Sequence, residues 1–130
     1  MRKNKVLIID DVKIVCVAIR MALADKGYEC DIALDHVTAL EMIKLKKYDI
    51  VFIDLLMDDI NGVELCKIIK KELAVGIMIL MTGYIGTDLE EILRNFVKAG
   101  GNASYLLKPF EIRDILTAID NSLLAKGRKA

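Results

Sequence analysis

No excess charge of either sign marks this sequence: 19 lysines and arginines cancel 19 aspartates and glutamates. A neutral chain has no bulk electrostatic reason to hold nucleic acid by itself, so contact with DNA would require another module. Cysteine is scarce too. Cys16, Cys30 and Cys66 are odd in number and contain no C-x-x-C pair, which argues against a disulfide framework and a zinc site and fits a reducing, cytoplasmic setting. His36, the only histidine, gives no basis for imidazole metal ligation or acid–base catalysis. No apolar run approaches membrane-spanning length, and Val6 to Ile9 meets Asp10-Asp11 before it could serve as the core of a signal peptide, so membrane insertion is not expected. Linkers, repeats and low-complexity tracts are also missing. Residues 1–130 therefore read as a single domain, large enough to bury a core without staples, and either complete or part of a longer protein.

What the chain does have is apolar substance, 55% of its residues, laid out in short runs that alternate with longer stretches of helical period. That alternation predicts a parallel sheet covered by helices on both faces. The spacing predicts strands at Lys5–Ile9, Glu29–Ala33, Ile50–Ile53, Gly76–Met81 and Ala103–Leu107. Helices are predicted at Val12–Lys26, His36–Lys46, Gly62–Leu73, Gly86–Ala99 and Ile112–Leu124. Gly27, Asn61-Gly62 and Gly100-Gly101 punctuate these boundaries.

Right-handed crossovers would gather the ends of the first, third, fourth and fifth strands on one rim of the sheet, where open parallel sheets bind their ligands. Those ends read Asp10-Asp11, Asp54, Thr82 and Lys108-Pro109. Each has an ordinary explanation alone: a helix cap, a turn residue, a strand end, a surface lysine. Four such accidents at four strand ends are much less probable than one site. Clustered carboxylates repel unless a cation compensates them, and oxygen-only ligation suits Mg²⁺, which commonly bridges carboxylates and phosphate oxygens. Asp54 is then the candidate nucleophile for an aspartyl phosphate, with Thr82 and Lys108 placed to hold phosphoryl oxygens.

These pieces, in this order, resemble the receiver domains of bacterial two-component response regulators. The matching segments are Val6-Leu7-Ile8-Ile9-Asp10-Asp11, Val51-Phe52-Ile53-Asp54-Leu55-Leu56-Met57 with Asn61-Gly62, Ile79-Leu80-Met81-Thr82-Gly83, and Tyr105-Leu106-Leu107-Lys108-Pro109-Phe110. The resemblance implies a doubly wound α/β fold with five parallel strands in flavodoxin-like order 2-1-3-4-5 and five helices. It implies that Asp54 accepts a phosphoryl group from a phosphohistidine on a histidine kinase or histidine phosphotransfer protein. Asp10, Asp11, Asp54 and the Leu56 carbonyl would hold Mg²⁺, Asp10 largely through water, and the Lys108-Pro109 bond would be cis. Thr82 and Tyr105 would act as the switch, changing the surface of the fourth helix, fifth strand and fifth helix for a downstream effector. The chain would be a signalling switch that catalyses only its own phosphorylation and dephosphorylation.

Three alternatives are weaker. A haloacid-dehalogenase-like phosphohydrolase would place an acid two residues after Asp54, where Leu56 stands. A flavodoxin relative would cradle phosphate where Asp10-Asp11 repel it. An unphosphorylated pseudo-receiver would have lost key residues, and none is lost.

The chain departs from the family pattern at Asp58, where most relatives have proline, and Asp58-Asp59 is expected to be a solvated turn in a loop of doubtful rigidity. Leu56 and Tyr84, two residues beyond Asp54 and Thr82, are bulky and non-acidic, and are expected to shield an acyl phosphate from water. In the first helix, Val15, Ala18, Ile19, Ala22 and Leu23 form the expected sheet-facing stripe. Ile14, Val17 and Met21 continue at helical spacing on another side, either as an exposed docking stripe for a kinase helix or as apolar residues covered by longer neighbouring side chains.

Overall fold

The computed structural model describes residues 4–73, 75–83 and 86–128, with side chains up to residue 125. The order is β1 (Lys5–Ile9), α1 (Lys13–Ala24), β2 (Glu29–Ala33), α2 (His36–Leu45), β3 (Ile50–Asp54), α3 (Gly62–Glu72), β4 (Ile77–Thr82), α4 (Leu89–Lys98), β5 (Tyr105–Leu107) and α5 (Ile112–Arg128). All strand pairs are parallel, and the sheet order is β2-β1-β3-β4-β5, the doubly wound arrangement expected.

The continuous apolar runs have a simple cause: the inner strands are covered on both faces. Leu7, Ile9, Val51, Ile53, Met78 and Leu80 pack against α2, α3 and α4 through Ile43, Leu65, Ile69 and Phe96. Their alternates, Val6, Ile8, Phe52, Ile77 and Ile79, pack against α1 and α5 through Ile19, Leu23, Ile115 and Ile119. Period-two alternation thus sorts apolar side chains into two cores instead of one core and one wet face.

Several boundaries shift for local reasons. β5 begins at Tyr105 and not Ala103, because Asn102 engages Met78 with both its backbone N–H and its side-chain carbonyl before the strand proper starts. α4 begins at Leu89 and not Gly86, its first turn carrying Glu90 and Glu91 where negative charge is favoured. α1 ends at Ala24, and the N–H groups of Lys26, Gly27 and Tyr28 fold back onto Leu23 and Ala24 carbonyls. Within α1 the sheet-facing stripe is corrected. Cys16 is buried where Ala18 was expected, and Ala18 is exposed.

At the β2 edge, Asp31 accepts from the Tyr48 hydroxyl at 2.6 Å and from the Lys46 ammonium at 2.9 Å. This ties the strand to the segment entering β3. Burial opposes the Asp31 charge, but these two donors outweigh it and hold the carboxyl below its ordinary range.

The backbone is closest where α3 begins. Asn61 caps the helix by accepting from the Val63 N–H at 2.7 Å, and the Gly62 N–H donates to the Leu55 carbonyl at 2.8 Å. A Cβ at Gly62 would stand 2.5 Å from the Asp54 carbonyl oxygen and 2.9 Å from Leu55 Cα. Only glycine lets α3 start against the end of β3. Gly62→Ala is expected to cost about 1–3 kcal/mol through overpacking against backbone. Urea titration of parent and variant measures this, and an unchanged midpoint would show that the close approach is dispensable.

Candidate functional site

Four strand ends converge as the sequence anticipates. Asp10 follows β1 and is fully buried; Asp54 ends β3 and Thr82 ends β4, and both are buried too. Lys108 follows β5, and its backbone N–H donates to the Thr82 carbonyl at 2.8 Å, so the lysine is registered to β4 before its side chain turns to the acids. The Lys108-Pro109 peptide bond is cis.

The Lys108 ammonium lies 2.6 Å from Asp10 Oδ2 and 2.9 Å from Asp54 Oδ1. Asp10 uses its other oxygen to accept from the Val12 N–H at 2.9 Å, at the start of α1. The cap residue of α1 is Val12, which makes no side-chain cap, so Asp10 serves the helix from two residues upstream. Asp11 Oδ2 accepts from the Asp58 N–H at 3.0 Å. One carboxylate oxygen from each of Asp10, Asp11 and Asp54 lies within 4.8 Å of the others, a close set of hard oxygen donors.

The electrostatics follow from burial. Desolvation pushes the Asp54 carboxyl above its ordinary value; the Lys108 hydrogen bond pulls it back, while Asp10 and Asp11 push it further up. For Lys108, burial disfavours the ammonium, but its bonds to Asp10 and Asp54 outweigh this and raise its pKa. Asp10 and Asp54 thus share one ammonium while Asp11 stands beside them without it, so the three carboxylates outnumber the one cation. Cys16, whose thiol donates to the Asp10 carbonyl, is pushed up to about 12 by burial and the Asp10 charge, which keeps it a neutral thiol.

Asp58 and Asp59 form the solvated turn expected after β3, and the turn is also anchored. Asp59 accepts from the His36 N–H at 3.0 Å and faces His36 Nδ1 at 2.5 Å, so the loop is tied to the start of α2. Leu56 also bridges to Asn61 across the loop. Anchors to Asp11, His36 and Asn61 hold the loop. The anchors to Asp11 and His36 left no signal in the sequence because they join residues 47 and 23 positions apart. Leu56 itself is exposed, and Tyr105 points a partly exposed ring from β5. Tyr84 lies outside the described residues.

The model of the response regulator receiver domain family matches residues 6–120. The chain belongs to that family. Among relatives, it is 34% identical over 125 residues to transcriptional regulatory protein SpaR of Bacillus subtilis, covering 96% of this chain and 54% of that protein. It is 26% identical over 124 residues to nisin biosynthesis regulatory protein NisR of Lactococcus lactis, covering 95% and 52%. The chain therefore spans about half the length of the curated relatives it matches. A CheY-like receiver domain protein from Methanospirillum hungatei superposes with a TM-score of 0.86 at 26% identity, covering 99% and 100% of the two chains. A two-component response regulator from Clostridium difficile gives 0.83 at 28% identity, covering 93% and 96%. This chain is a receiver domain, a signalling switch module. Among its described residues no helix is long and apolar enough to cross a membrane.

The raised Asp54 pKa has a consequence with a definite sign. The folded state binds the Asp54 proton more tightly than the unfolded chain, so the ionised carboxylate is a penalty above the folded pKa that is relieved as pH falls through it. In chelator-treated buffer, Asp54→Asn is expected to be more stable than the parent at neutral pH, the gap closing on acidification. Urea midpoints across a pH series check this; a parent that is the more stable of the two at neutral pH contradicts it.

Proposed function

We propose that Asp54 is the phospho-acceptor of this domain and that Asp10, Asp11 and Asp54, with the Leu56 carbonyl, hold Mg²⁺. The observation that carries this reading is the gathering of three carboxylates at a sheet rim, two of them paired with one ammonium. The all-oxygen donor set fits the ion, which when bound supplies positive charge to phosphoryl oxygens.

An Asp54 carboxylate oxygen attacks the phosphorus of a phosphohistidine; the phosphorus–nitrogen bond breaks, imidazole leaves, and an acyl phosphate remains. Burial strips water from the nucleophile, and Lys108, already bonded to Asp54, is placed to follow the charge onto the new phosphoryl oxygens. Thr82, at the adjacent strand end, donates its hydroxyl to the same group. Its movement vacates space into which Tyr105 turns, altering the α4–β5–α5 surface read by a downstream effector. The domain catalyses only its own phosphorylation and hydrolysis, in the cytoplasm. Residues 1–130 form one receiver unit. Leu56, at the mouth of the site, shields the acyl phosphate and lengthens its life.

The phosphodonor protein docks beside Lys108. An apolar groove of about 470 Å³ is lined by Ile14, Val15, Ala18, Lys108, Pro109 and Phe110. Along α1 it is continued by Met21, while Val17, expected in the same exposed stripe, is half-buried. Ile14 and Met21, 77% and 67% exposed, are the residues left for a helix of a histidine kinase or phosphotransfer protein.

With acetyl phosphate and Mg²⁺, the parent is expected to gain one phosphoryl mass and Asp54→Asn none; a labelled Asp54→Asn would move the acceptor elsewhere. The Ile14→Glu, Met21→Glu double variant is expected to slow transfer from the cognate phosphohistidine donor about tenfold, the worth of one well-buried apolar contact. Its rate with acetyl phosphate should be unchanged. Equal slowing with both donors would refute docking on α1 while leaving the acceptor assignment intact.

A further inference from the structure

Away from the carboxylates, a groove of about 780 Å³ lies between α3 and α4, larger than the apolar groove on α1. Its walls carry Lys67, Lys70 and Lys71 from α3 and Lys98 from α4, with Asn61 and Asn95 as further hydrogen-bonding groups. Among the described residues Glu64 is the only acid lining it, and it pairs with Lys67 at 3.4 Å. No described carboxylate lies within ion-pair distance of Lys70, Lys71 or Lys98. In a chain whose charges cancel overall, this is a concentrated positive field.

Helix ends explain part of the pattern. Lys70, Lys71 and Lys98 sit in the last turns of their helices, where positive charge complements the dipole. That does not explain why lysines of two helices face one groove, or why Lys67 joins them from the middle of α3. The packing fixes one of them. Gly100 ends α4 with φ +114°, and a Cβ there would stand 2.5 Å from Lys70 Cγ, so the Lys70 stem lies flat on the turn.

We propose that this groove binds a small polyphosphate, a free ligand with consecutive phosphate groups. Lysines present point charges that suit phosphate oxygens, and the two asparagines add neutral hydrogen bonds. The volume lies in the range of small-molecule sites. No aromatic side chain lines the groove, so recognition falls on the phosphates and not on a stacked base. The site is distinct from Asp54 and does not depend on the acceptor reading.

The test is titration of the chain with tripolyphosphate and, separately, ATP, in metal-free buffer, followed by amide chemical shifts. Saturable shifts are expected at Asn61, Asn95 and residues 67–71, with similar affinity for both ligands. Affinity should fall about tenfold or more in the Lys71→Glu, Lys98→Glu double variant and on raising the salt several-fold. Both positions are exposed, which keeps the fold out of the comparison. The Lys67→Ala, Lys98→Ala pair repeats the test without charge reversal. The Lys26→Glu, Lys47→Glu control, with both changes at exposed positions outside the groove, should bind like the parent. Absence of binding, shifts centred elsewhere, equal loss in the control, a requirement for the adenine base, or equal binding of hexaglutamate would each overturn the proposal.

Discussion

The Lys108 ammonium, held between Asp10 and Asp54, is the interaction on which the rest of the site depends. Burial disfavours the charged form of Asp54, and the Lys108 hydrogen bond is what works against that penalty. Lys108 lies 98 residues from Asp10 in the chain, so the pair can form only when the sheet is complete. The site is therefore a product of the whole fold, and its charges do not balance: Lys108 pairs with Asp10 and Asp54, and Asp11 adds a third carboxylate beside them. Burial, joined by the charges of Asp10 and Asp11, opposes ionisation of Asp54, and the Lys108 hydrogen bond offsets only part of it.

Topology makes this possible at little local expense. Each parallel strand delivers its last residue to the same rim, and the helices that follow carry the chain away. The rim is where backbone groups turn from pairing with one another to pairing with side chains. There Asp10 receives the Val12 N–H, Asn61 receives the Val63 N–H, and Asp11 receives the Asp58 N–H. The loop that would otherwise flex without proline is thus fastened through its own amides and through Asp59 to α2. Asp11 belongs to both sets of contacts, standing in the carboxylate cluster and holding the loop through the Asp58 N–H.

Much of this was legible in the chain. Apolar runs without alternation gave strands covered on both sides, and the polar residue closing each run marked the rim. Asp10, Asp54, Thr82 and Lys108 could be gathered from topology alone. What could not be read were contacts that depend on which face a helix turns inward. Cys16 and Ala18 exchange roles because both are small and weakly apolar, and pattern does not separate them. The His36–Asp59 latch joins two residues that each looked solvent-bound. Gly62 read as a turn marker, whereas its reason is the Asp54 carbonyl against which it packs. The late start of β5 turns on one asparagine side chain imitating backbone. Such features arise from close approach in three dimensions and leave no period in the sequence.

The central claim is that Asp10, Asp11 and Asp54 form one cation receptor already balanced in part by Lys108. Titration of the chain with Mg²⁺, observing side-chain carboxyl and lysine resonances together, tests it most directly. The account predicts a single saturable event that shifts Asp10, Asp11, Asp54 and Lys108 in concert and is severely weakened by Asp11→Asn. Shifts scattered over surface acids, or a Lys108 signal indifferent to the metal, would contradict it.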